Sequence, residues 1–137
     1  MRNVTPTLLL ALATSITPIA ASSQTSVAAL ETISIRLSNF AFTPDHLRLR
    51  VGVPVRLQFM NESSGGHNFT APAFFAASTF ALGATPPPDG KVELTAGTTV
   101  DLTLTPRVPG SYLVECTHFL HSLFGMRRTI EVVRPAS

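Results

Sequence analysis

The stretch GSYLVECTHFLHSLFGM, Gly110–Met126, decides how this chain is read. Its first half alternates. Tyr112, Val114 and Cys116 fall on one face, Leu113 and Glu115 on the other. Period-two alternation over a short run marks a half-buried β-strand. If Tyr112 packs inward, Cys116 also points inward, at the end of the core. The second half changes character. His121 follows Cys116 after four intervening residues, and Met126 follows His121 after four more. A strand-terminal thiol, an imidazole and a thioether on one loop make a compact hook of metal ligands.

Outward from this segment the same alternation recurs. Ile33, Ile35 and Leu37 form one run, Leu47, Leu49 and Val51 a second, and Val53, Val55, Leu57 and Phe59 a third. Val92 and Leu94, then Val100, Leu102 and Leu104, then Ile130 and Val132 repeat the pattern. Breakers part these runs: Gly52 with Pro54, the polar loop Asn61 to Gly66, Pro86 to Gly90, Ala96-Gly97, and Pro106 to Gly110. Short strands of this spacing predict an all-β sandwich or barrel of about seven to eight strands. Ala73 to Ala84, rich in Ala and Phe, has no period of two. A short helix or an irregular flap over the sandwich is expected there.

The chain has 137 residues, which suits one domain. Arg2, the apolar run Leu8 to Ala13, its weaker continuation Ile16 to Ala21 and the small residues Ala20, Ala21 and Ser22 read as a cleaved signal peptide over residues 1–22. An uncleaved anchor is the alternative, but Thr, Ser and Pro interrupt the run, so no stable membrane insertion is expected. A linker is expected over 23–31 and the domain over 32–134. The implied compartment is periplasmic or extracellular. Without Arg2, nine basic and eight acidic residues remain, so the charge is near neutral. Such a balance offers no footprint for nucleic acid.

Cys116 is the only cysteine. It cannot form a disulfide within the chain, and a lone thiol in an oxidising compartment is a liability unless buried or occupied. Packing as a small hydrophobe would also account for it. The wider pattern favours a metal. His67 ends the Gly-rich loop and is the candidate second imidazole. Two His nitrogens and one Cys sulfur, capped by a weak Met sulfur, are the donor set of blue-copper electron-transfer sites. A structural zinc site usually has four strong ligands and no thioether. Iron–sulfur clusters need several Cys.

These segments resemble the cupredoxins, the family that includes plastocyanin, azurin and pseudoazurin. Asn39-Phe40-Ala41-Phe42-Thr43-Pro44 is similar to the family's early aromatic-x-Pro segment, and Gly66-His67-Asn68-Phe69 to its first-ligand motif. Gly110-Ser111-Tyr112 with Cys116, His121, Gly125 and Met126 is similar to its ligand loop. The resemblance implies a Greek-key β-sandwich holding one copper ion through His67, Cys116, His121 and Met126. It implies that His67 is the buried ligand, Cys116 the thiolate, His121 the surface-facing ligand and Met126 the axial one. It gives Asn68 the task of holding the ligand loop, through Thr117 and a backbone N–H to the Cys sulfur. His118 departs from the pattern. It is a surface residue, a competing ligand or a substitute for His121, and family spacing favours His121 as the ligand.

The implied function is a one-electron carrier. Its redox partners would dock on the apolar residues around His121, namely Phe119, Leu120, Leu123 and Phe124. No catalytic acid–base pair stands out, so no enzyme activity is expected. Copper storage, delivery or resistance is the alternative, with His118 as its main support. A metal-free interaction module is a third reading, disfavoured because all four ligand residues are present.

Overall fold

The computed structural model describes residues 29–136. The expected leader over 1–22 lies outside the described residues, as does the linker up to residue 28. Strand β1 (Glu31–Ser38) takes in the last residue of the expected linker. The strands that follow are β2 (Ala41–Thr43), β3 (His46–Arg50), β4 (Val55–Asn61) and β5 (His67–Thr70). A short helix α1 (Pro72–Ala76) leads into β6 (Ser78–Phe80), and β7 (Lys91–Leu94), β8 (Thr99–Pro106), β9 (Gly110–Glu115) and β10 (Arg127–Val133) complete the fold.

Two five-stranded sheets face each other. One has the order β2-β1-β4-β8-β6, the other β3-β10-β9-β5-β7. β1 runs parallel to β4 and β3 parallel to β10; the remaining pairs are antiparallel. This is the all-β sandwich the alternation predicts. Along β4, Val55, Leu57 and Phe59 point into the core and Arg56 points out. On β9, Val114 and the following Cys116 are buried while Leu113 is exposed, so the parity read from the sequence holds.

The described residues hold ten strands rather than seven or eight. The additions are β2, β5 and β6. β2 and β6 are three residues long, too short to display a period. β5 shows no alternation because His67, Asn68 and Phe69 are all buried. The expected strand from Val53 begins at Val55, since Pro54 has no N–H to give a ladder.

The segment without a period serves as a plug. Helix α1 drives Phe74 and Phe75 into the core. Phe75 packs on Phe69 at 6.1 Å between ring centroids, and Phe69 packs on Phe59 at 4.8 Å and Phe42 at 5.7 Å. Each fully buried Phe contributes about 1.5–3 kcal/mol by leaving water. This aromatic layer lies beneath β5 and fixes the strand that carries His67.

Candidate metal centre

The site forms where β5 and β9 part. The two strands share one bridge, Thr70 with Glu115. Beyond it the backbone ladder stops. The Asn68 N–H donates instead to Cys116 Sγ at 3.4 Å. The Asn68 side chain continues the connection. Its Nδ2 donates to Thr117 Oγ1 at 2.9 Å and to Glu93 Oε2 at 3.2 Å. Its Oδ1 accepts from the Thr117 N–H at 2.9 Å and the Thr70 hydroxyl at 3.0 Å. An amide side chain has two N–H donors and two acceptor lone pairs, and all four are used. Asn68 is thus a buried polar residue that bonds the His67 strand to the Cys116 loop, through the contacts the resemblance implies.

Three donor atoms converge in that gap. The nitrogen or sulfur donors of His67, Cys116 and His121 all lie within 4.8 Å of one another. Cys116 Sγ stands 3.8 Å from His67 Nδ1 and 3.3 Å from His121 Nδ1. Metal–nitrogen and metal–sulfur bonds of about 2.0–2.3 Å at trigonal to tetrahedral angles separate donors by roughly 3.3–3.8 Å. The trio therefore fits one small metal ion. Cys116 and Met126 are fully buried. His67 is almost so, and His121 is partly exposed.

Electrostatics suit a metal as well. Burial lowers the His67 pKa below the ordinary imidazole value, and the neighbouring His121 and His118 push it the same way. That shift favours the neutral ring, the form that can ligate a metal.

Backbone hydrogen bonds shape the loop from Cys116 to Met126. Cys116 N–H donates to Met126 O at 3.0 Å, Met126 N–H to His121 O at 3.0 Å, and His121 N–H to His118 O at 3.1 Å. The loop closes on itself, so Cys116 and Met126, its first and last residues, are pinned together. Gly125 stands at φ +99°, which an L side chain rarely adopts.

His118 does not join the trio. Its ring lies 6.5 Å from that of His67 and 5.6 Å from that of His121, centroid to centroid. Its Nε2 bonds Glu93 on β7. Burial alone would raise the Glu93 pKa, but the hydrogen bonds from His118 and Asn68 outweigh it and lower the pKa. His118 also rests on Gly66, where a Cβ would come within 3.0 Å of its ring.

Sequence reasoning missed two contributors. Asn61 is buried at the end of β4, and its Nδ2 reaches Gly65 O at 2.8 Å, Leu94 O at 3.1 Å and Thr95 O at 3.1 Å. It folds the loop that delivers His67. Its inward parity after Val55, Leu57 and Phe59 was a usable signal. Glu93, opposite Asn68 in the β5–β7 register, carried none.

A family model described as the cupredoxin-like domain matches residues 8–127. None of the curated protein sequences matches the chain. Among solved structures, auracyanin B is similar over 74% of this chain and 88% of its own, at 29% identity and a TM-score of 0.57. The dithionite-reduced auracyanin of the photosynthetic bacterium Roseiflexus castenholzii shares the fold at 23% identity, covering 74% of this chain and 95% of its own, with a TM-score of 0.57. A multicopper oxidase from Campylobacter jejuni shares it at 14% identity, covering 75% of this chain but 30% of its own, with a TM-score of 0.54. The sandwich, the thiol–imidazole donor set beside a buried methionine and the family match agree: the chain belongs to the cupredoxin-like family, and its cofactor is one copper ion.

Proposed function

We propose that the domain is a type 1 (blue) copper electron carrier in which His67, Cys116, His121 and Met126 hold the ion. The observation that carries this reading is the convergence of the His67, Cys116 and His121 donors within 4.8 Å. The fully buried Met126 closes the same loop and would offer the ion its thioether sulfur. Bound copper supplies the Cu(I)/Cu(II) couple. The residues do the rest. Asn68 and the loop hydrogen bonds hold the ligands in one arrangement, and burial of Cys116, His67 and Met126 keeps water from them.

His121 is the ligand nearest solvent. Around it Phe119, Leu123 and Phe124 are 87%, 76% and 61% exposed, and Leu120 is 41% exposed. Redox partners would dock on this apolar patch, since electron-transfer encounters need only a small interface. In this reading the domain acts as a carrier and not as an enzyme by itself. Residues 1–22 would direct it to the periplasm or outside the cell. Among the described residues, no helix is long and apolar enough to cross a membrane.

Storage or delivery of copper would draw on His118 as an extra imidazole. The bond from His118 to Glu93 gives that ring another role. Stepwise reduction of the copper-loaded protein separates the readings. A carrier takes up one electron per copper, reoxidises fully and keeps its metal through gel filtration in both states. A storage or delivery protein releases copper in one of them.

A further inference from the structure

Phe40 occupies a strained position beside the exposed imidazole. It lies in the two-residue turn between β1 and β2, with φ at +59°. A left-handed position in a tight turn suits Gly or Asn, and a bulky residue there is a genuine outlier. Phe40 is also 44% exposed, so core burial does not account for it. Its ring meets the His121 ring at 5.1 Å and 79°, and the Phe124 ring at 5.5 Å and 62°. Both are the edge-to-face arrangements that aromatic quadrupoles favour. The turn comes from the sheet opposite the one that carries β5, β9 and β10. Phe40 therefore bridges the first sheet to the ligand loop at its exposed ligand.

We propose that Phe40 is a positioning residue for His121: its ring braces the imidazole against rotation and shields its bond to copper from solvent. This rests on His121 being a ligand, as proposed above. Backbone strain at Phe40 is the cost of placing an aromatic ring beside His121 from this turn.

Phe40→Gly and Phe40→Tyr test it in opposite directions. Glycine suits the backbone angle, so the apo form of Phe40→Gly should unfold at no lower temperature than the wild type. The copper-loaded protein is reduced and mixed with the Cu(I) chelator bathocuproine disulfonate, well below both unfolding temperatures. Phe40→Gly should release copper roughly two- to tenfold faster, the range an aromatic pair is worth. It should also show altered copper hyperfine splitting in the oxidised state. Phe40→Tyr, which keeps the ring, should restore both to wild-type values. Wild-type release and hyperfine splitting in Phe40→Gly would overturn the role. So would a Phe40→Tyr variant as leaky as Phe40→Gly. A wild-type protein with no thiolate-to-copper band would instead contradict the copper site itself, a distinct failure.

Discussion

The metal centre has two unlike walls. One is made of sheet: His67 and Asn68 on β5, with Cys116 just past the end of β9, all buried and tied by the Asn68 hydrogen bonds. The other is made of loop: His118 to Gly125, held by its own backbone bonds and showing Phe119, Leu123 and Phe124 to solvent. The first wall has the means to fix geometry. The second has the means to meet another molecule. A carrier needs both, because a ligand set that reorganises slows electron transfer and one wholly enclosed has no exit. His67 and His121, alike as candidate donors, differ in burial and in the element that carries them.

The sharpest way to break that contrast is to remove each imidazole in turn. His67→Ala should abolish the blue site, and added imidazole should not restore it, since His67 is buried. His121→Gly should lose the site too, yet recover it with imidazole, because its place opens to the surface. Visible absorption with and without imidazole checks both, and equal behaviour of the two would erase the distinction. Next in size is Asn68→Ala. It strips the Thr117 N–H and hydroxyl of their partner and should cost about 1–3 kcal/mol in urea unfolding of the apo form. Copper affinity should fall roughly 10–100-fold, as for other outer partners of metal ligands.

On the loop wall, Leu123→Asp should leave stability within about 0.5 kcal/mol, as at most exposed positions. Electron self-exchange, read from NMR line broadening, should slow by roughly tenfold or more, because like charges would meet across the encounter. An unchanged rate would move the docking face elsewhere. The smallest effect concerns pH. Burial holds the folded His67 pKa below the ordinary imidazole value of 6.5. Between these values the unfolded chain binds the extra proton, so apo stability should fall as pH drops from 6.5 towards the folded value. His67→Gln should show a shallower loss of unfolding temperature over that range.

Much of this was legible in the sequence. Alternation marked seven of the strands, and the parity of Tyr112, Val114 and Cys116 placed the thiol inside. The spacing from Cys116 to His121 and Met126 marked the loop. What was not legible depends on contacts between distant segments. Phe40 reaches His121 across 81 positions and Glu93 reaches His118 across 25, and neither pairing leaves a local pattern. β5 escaped for a physical reason: Asn68, which alternation would place on a solvated face, is covered by the ligand loop, and the strand therefore buries three residues in a row. The signal that marks an ordinary strand is erased where the site is built.

The most direct measurement is the visible and EPR spectrum of the protein loaded with Cu(II), beside Cys116→Ser. An intense blue thiolate-to-copper band with narrow copper hyperfine splitting, lost in Cys116→Ser, is the result predicted. A colourless or ordinary tetragonal copper spectrum, the same in both proteins, would contradict the blue-copper assignment.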